Sequence, residues 1–195
     1  FLIMPPAYYK GNTDEGVFNF YSLIISKVPK IKIILYNFEL LSGYKFSVDC
    51  VENLAARFPK NIIGAKDSSY NLMGNLKIKN FSILPGSELK LLSGLKKDCS
   101  GIITATCNVT AKLARKVFDD FEQNKEQTVN DKLCEVRKAF DQFNLISGLH
   151  SFLSLSDKQF LNILPTCSLL SKQDEKTLID KLKDLDFLGK DFKAA

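Results

Sequence analysis

The sequence predicts an α/β fold on a parallel sheet, followed by an all-helical extension. Short β-like apolar runs begin near residues 1, 31, 61, 81 and 101, and the segments between them have helical periodicity, which is the rhythm of repeated βα units. The polar run Glu122-Gln123-Asn124-Lys125-Glu126-Gln127 marks a boundary, and beyond it the strand signal stops. Residues 1–126 are therefore read as about five βα units and residues 127–195 as a helical extension. Taken alone, such units fit either an open doubly wound sheet or part of a barrel.

Phe1-Leu2-Ile3-Met4 reads as the first strand, and Thr13 as the cap of a helix carrying Val17, Phe18, Tyr21, Leu23, Ile24 and Ile25. Ile31–Leu35 is the second strand. Ser47 then caps a helix whose positions Val48, Val51, Leu54, Ala55 and Phe58 share one face before Pro59 stops it. The third strand runs through Ile62-Ile63-Gly64-Ala65. After the fifth run, Thr110 is expected to cap a helix with Leu113, Val117, Phe118 and Phe121 inward. In the extension, Leu133, Val136, Phe140 and Phe143 make one amphipathic face. Ser171 with Asp174 opens another helix with Leu178, Leu182 and Leu185 inward.

Composition narrows the function classes. The 195 residues are 45% hydrophobic and 25% charged, ordinary for a globular domain with a sizeable core. The net charge of +5 comes almost wholly from lysine, and no basic run interleaves with aromatics, so no nucleic-acid partner is expected. No run of 18 apolar residues occurs, so no membrane partner is expected either. Five cysteines without a C-x-x-C pair argue against a disulfide framework and a cysteine zinc site, and point to a reducing cytoplasm. With His150 as the only histidine, histidine-cluster metals and histidine-activated nucleophiles drop out. A carbon–carbon bond enzyme built this way needs an organic electron sink.

Lys66 offers one. It closes the third strand and is followed at once by Asp67-Ser68-Ser69, while Tyr36-Asn37 closes the second strand thirty residues earlier. A lysine at the end of a buried strand is placed where desolvation favours the neutral amine, the form that attacks a carbonyl carbon. A tyrosine closing a neighbouring strand is placed to move protons. The pair suggests Schiff-base chemistry.

Five blocks in order extend this reading: Pro5-Pro6-Ala7-Tyr8-Tyr9, Tyr36-Asn37 through Leu41-Ser42-Gly43, Ile62 to Ser69, Leu84-Pro85-Gly86-Ser87-Glu88, and Gly101 to Val109. The set resembles the dihydrodipicolinate synthase / N-acetylneuraminate lyase family of class I pyruvate-dependent aldolases. The resemblance implies the C-terminal part of a (β/α)8 TIM barrel followed by a helical extension, with the front of the barrel preceding Phe1. It also implies Lys66 as the nucleophile that forms an iminium with a 2-oxo acid, with no cofactor and no metal, and Tyr36 as proton shuttle. The resemblance further implies that Tyr9 reaches the site from across a subunit interface, in a homodimer or homotetramer. Gly86, Glu88, Ile103 and Leu41 are expected around the substrate, with Ile103 giving a backbone carbonyl near the lysine.

Leu41 separates the branches. The synthases that use aspartate semialdehyde carry an arginine there, whereas the sialic-acid lyases carry leucine before Ser-Gly, as in Leu41-Ser42-Gly43. The expected activity is therefore an N-acetylneuraminate lyase-like or 2-keto-3-deoxy sugar acid aldolase. 4-Hydroxy-tetrahydrodipicolinate synthase is the alternative within the same chemistry, and a non-catalytic barrel fragment with a binding or assembly role is the alternative outside it.

Overall fold

A computed structural model describes residues 1–188. Four strands form one wholly parallel sheet in sequence order: β1 (Leu2–Ile3), β2 (Ile33–Asn37), β3 (Ile62–Asp67) and β4 (Ser82–Pro85). Helix α1 (Asp14–Lys27) connects β1 to β2. A four-residue turn of helix, α2 (Glu39–Ser42), and α3 (Val48–Arg57) connect β2 to β3. Thr13 and Ser47 cap α1 and α3 as expected, accepting from the amides of Gly16 and Cys50. Both helices bury one stripe: Val17, Tyr21 and Ile25 on α1, and Val51, Leu54 and Ala55 on α3. Those stripes pack with Ile33, Leu35, Ala65 and Ile83 of the sheet into one core. Alternation along each strand sends Tyr36 and Lys66 away from that face.

Gly64 sits where β3 and β4 come closest, since a Cβ there would lie 2.5 Å from the Ser82 carbonyl oxygen. The β3–β4 connection departs from expectation. Residues 68–81 form turns and no helix, with Tyr70, Gly74 and Asn80 in the left-handed region. The Asp67 carboxylate accepts the amides of Leu72 and Met73, which favours a capped loop over a helical start. The run after residue 101 is a second departure. It forms no strand, and its link to β4 is two amide bonds, from Ser100 to Ile83 and from Ile103 to Pro85, each donating to a carbonyl.

The chain divides by contacts into residues 1–86 with 93–103, and 87–92 with 104–195. That division differs from a border at 126, because the helix read as the last of the βα units groups with the helices that follow. The second unit contains the short 3₁₀ turn Glu88–Lys90, α5 (Cys107–Glu122), α6 (Asn130–Phe140), α7 (Leu145–Leu153) and α8 (Lys172–Asp184); a further short helix, α4 (Leu91–Leu95), straddles the division. Ser171 caps α8 through the Asp174 amide as expected. Val136, Phe140, Leu149, Phe152, Leu178 and Leu182 form its core. Thr110 is no cap: α5 starts at Cys107, and Thr110 is buried with its hydroxyl donated to Glu88. The inward stripe shifts accordingly to Thr110, Ala114, Val117 and Asp120, leaving Leu113, Phe118 and Phe121 half-buried. Residues 189–195 of the expected extension lie outside the described residues.

Candidate active site

The parallel register aligns Tyr36 with Lys66 and Lys66 with Leu84 across three neighbouring strands. The Lys66 Nζ stands 4.1 Å from the centroid of the Tyr36 ring, over its face. Both residues are half-buried. Phe38 stacks with Tyr36, the two ring centroids 6.1 Å apart. This contact with the ring face fixes the direction of the amine.

One residue further along each strand, Asn37 and Asp67 are fully buried and bonded to each other, Asn37 Nδ2 donating to Asp67 Oδ1 over 2.8 Å. Asn37 also donates to Asn71 Oδ1 at 2.8 Å and accepts the Phe46 amide at 3.1 Å. Asn71 Nδ2 returns to the Phe46 carbonyl at 2.8 Å. The strand ends that carry Tyr36 and Lys66 are thereby joined to each other and to two loops. A polar residue ending each strand on the core-facing side, next to Tyr36 and Lys66, was the available signal for this network.

The remaining expected site residues divide in two. Gly86 packs against Ser68, two residues after Lys66, so closely that a Cβ would collide with the Ser68 hydroxyl. The Ile103 amide donates to Pro85 at 3.1 Å, which fixes that peptide beside the end of β4. Leu41 is 52% exposed on α2, where Lys45 pairs with Glu39 at 2.8 Å. Gly43 ends α2 in the left-handed conformation with φ 71°, and the Lys10 side chain lies over it. Tyr8 and Tyr9 are exposed and packed edge to face with centroids 5.4 Å apart, so within this chain Tyr9 meets Tyr8 and not the Lys66–Tyr36 pair.

Glu88 differs from the expectation of a substrate contact. It belongs to the second unit and is fully buried, and its carboxylate is already filled. Thr110 donates to Oε1, and Thr104 and Arg137 Nη1 donate to Oε2, at 2.9, 2.9 and 3.0 Å. Burial alone would push this carboxyl up. Hydrogen bonds from Thr106, its own amide, Arg137 and Thr110 outweigh burial and hold its pKa below the ordinary value. Arg137, 49 residues away in sequence, gave no local sign of this pairing.

Among the described residues, no three His, Cys, Asp or Glu side chains gather into a metal-binding group, and no helix is long and apolar enough to cross a membrane.

Comparison with known proteins supports the same architecture. The solved dihydrodipicolinate synthase of Thermotoga maritima superposes with a TM-score of 0.84 at 20% identity, covering 96% of this chain and 66% of that one. That of Agrobacterium tumefaciens gives 0.78 at 23%, covering 94% and 65%. The fold is accordingly part of a (β/α)8 barrel with its helical extension. In sequence, the chain is 26% identical over 159 residues to an uncharacterized DapA-like lyase of Chloroflexus aurantiacus, covering 78% of this chain and 53% of the relative. It is 30% identical over 149 residues to an L-threo-3-deoxy-hexylosonate aldolase of Hypocrea jecorina (69% and 46%). It is 33% identical over 115 residues to a 4-hydroxy-tetrahydrodipicolinate synthase of Wigglesworthia glossinidia brevipalpis (56% and 38%). The chain spans about half the length of the curated relatives it matches. The sequence signature of the Dihydrodipicolinate synthetase family extends over residues 1–184, and with the lysine and tyrosine of the ordered blocks paired on adjacent strands, this chain belongs to that family.

Proposed function

We propose that the protein is a class I lyase or aldolase that forms a Schiff base between Lys66 and a 2-oxo acid. The observation that carries this reading is the Lys66 amine held 4.1 Å over the Tyr36 ring at the ends of adjacent strands. The neutral amine attacks the C2 carbonyl carbon, and the carbinolamine loses water to give an iminium. The iminium draws electrons from C3. Loss of a C3 proton gives an enamine that adds to an aldehyde, while in the reverse direction the C3–C4 bond breaks and the enamine takes a proton. Tyr36 is the proton shuttle for these steps. Because the electron sink is covalent, the chemistry needs no metal or cofactor.

Leu41 favours a 2-keto-3-deoxy sugar acid or a sialic-acid-like substrate, since an apolar side chain gives no bidentate grip on a semialdehyde carboxylate. The match to synthases such as that of Wigglesworthia keeps 4-hydroxy-tetrahydrodipicolinate synthase as the second reading. Gly86 and Ile103 shape the substrate side, and the exposed Tyr8–Tyr9 pair supports a homo-oligomer in which Tyr9 serves a neighbouring subunit.

Borohydride reduction in the presence of pyruvate, followed by peptide mass spectrometry, tests the assignment. It is run on this chain and on the longest natural polypeptide that contains it. A reduced pyruvyl adduct on Lys66 is expected. Its absence from the longest polypeptide refutes the enzyme reading. Cleavage of a 2-keto-3-deoxy sugar acid measured against condensation with aspartate semialdehyde then separates the two substrates.

A further inference from the structure

We propose that Asp67 is a positioning residue for imine formation at Lys66, acting with Asn37 as a buried clasp between the two reactive strand ends. This rests on the Lys66 reading above. The clasp lies one residue beyond the Tyr36–Lys66 pair on both strands, so any shift at it moves the pair directly. Its two members are fully buried. A buried carboxylate has a high desolvation cost, and a loop cap alone does not explain the whole of this one.

The division of labour between the two carboxylate oxygens makes the argument. Oδ2 alone accepts both loop amides, from Leu72 and from Met73, each at 2.9 Å. Capping the loop therefore needs one oxygen. The other, Oδ1, accepts from Asn37 Nδ2 at 2.8 Å across the strand boundary. Asn37 passes the constraint on: its Oδ1 holds the Phe46 amide and its Nδ2 also reaches Asn71, which itself returns to Phe46. Backbone pairing already sets the register of β2 against β3, and the side-chain bond adds a lock at the last rung. Imine formation needs the amine, the carbonyl carbon and the proton shuttle in one geometry, and a displacement near 1 Å costs about 100-fold in such reactions.

Asp67→Asn separates the two roles. The substituted side chain keeps an oxygen for the Leu72 and Met73 amides, but it turns an NH₂ toward the Asn37 NH₂, donor against donor. The measurement is the rate of borohydride-trappable pyruvate adduct per folded molecule, as a function of pyruvate, with thermal melting recorded alongside.

For Asp67→Asn the maximal rate is expected to fall about 10- to 100-fold while half-saturating pyruvate stays put. An unchanged maximal rate or a loss confined to half-saturation would overturn the proposal. If Asp67→Asn does not fold, Asn37→Ala decides. It removes the donor to Asp67 Oδ1 and leaves the Leu72 and Met73 amides on Oδ2, so a slower maximal rate at unchanged half-saturation supports the proposal and a parental rate overturns it. A parent that traps no pyruvate on Lys66 refutes the imine reading and this one with it. A parent that traps pyruvate at the same rate as its variants refutes the clasp alone.

Discussion

Replacing Arg137 with leucine tests the electrostatics of the second unit. Its side chain is 12% exposed and that of its partner Glu88 is 0% exposed, so the pair escapes the solvent screening that makes surface ion pairs weak. Nη1 serves Glu88, Thr104 and Thr106 at 3.0, 2.8 and 3.2 Å, while Nε reaches Asp141 at 2.8 Å. Removing the guanidinium leaves a buried carboxylate with hydroxyl donors but no counter-charge, and breaking such a pair costs about 3 kcal/mol. The pH dependence gives the sign. In the parent the Glu88 pKa is lowered, so the pair's contribution is full above the ordinary carboxyl range and is lost as pH falls through the lower folded value. In the variant burial is opposed by hydroxyl and amide donors without the guanidinium, so the pKa rises from the parent's, protonation relieves the folded state and the deficit shrinks as pH falls. Urea unfolding at pH 7 and pH 5 is expected to show a deficit near 3 kcal/mol that narrows by about 1 kcal/mol or more at the lower pH. A deficit under about 1 kcal/mol at pH 7, or one equal at both pH values, would refute the reasoning.

Two further outcomes follow from the sheet. Gly64→Ala puts a Cβ 2.5 Å from the Ser82 carbonyl oxygen, where a C···O contact is normally about 3.3 Å, so β4 backs away by roughly 0.8 Å. A loss of about 1–3 kcal/mol in urea melts is expected, and a parental midpoint would show that the strands yield without cost. Tyr36→Phe keeps the ring under the Lys66 amine but removes the hydroxyl. Pyruvate trapping is expected to slow about 100-fold with melting unchanged, and a parental rate would remove Tyr36 from the proton transfers.

Local physics made much of the frame legible. Thr13, Ser47 and Ser171 announced their helices because a cap needs only the next three residues, and β1 to β4 followed from short apolar runs with turns between them. Lys66 and Tyr36 could be paired because a parallel sheet in sequence order brings strand ends together. What was not legible depends on partners distant in sequence. Leu72 and Leu76, spaced like a helix face, are buried in a turn-rich connection because Asp67 takes the amides of Leu72 and Met73. Thr110 resembles a cap, yet its hydroxyl answers Glu88. Glu88 resembles a site acid in a barrel loop, yet its burial is explained by Arg137 on α6 together with Thr104 and Thr110.

The helix-free connection after β3 has a consequence for how the sequence can change over time. Everything that ties it to the end of β3 is complete by Met73, where the last amide is taken by Asp67. From Gly74 to Asn80 the chain is mostly solvent-facing, with Leu76 anchoring its middle. Additions or deletions near Lys79 and Asn80 therefore alter a surface detour without touching the Asp67 bonds. This connection is the stretch expected to tolerate a change in length, and a peptide inserted there leaves the Asn37–Asp67 rung in place.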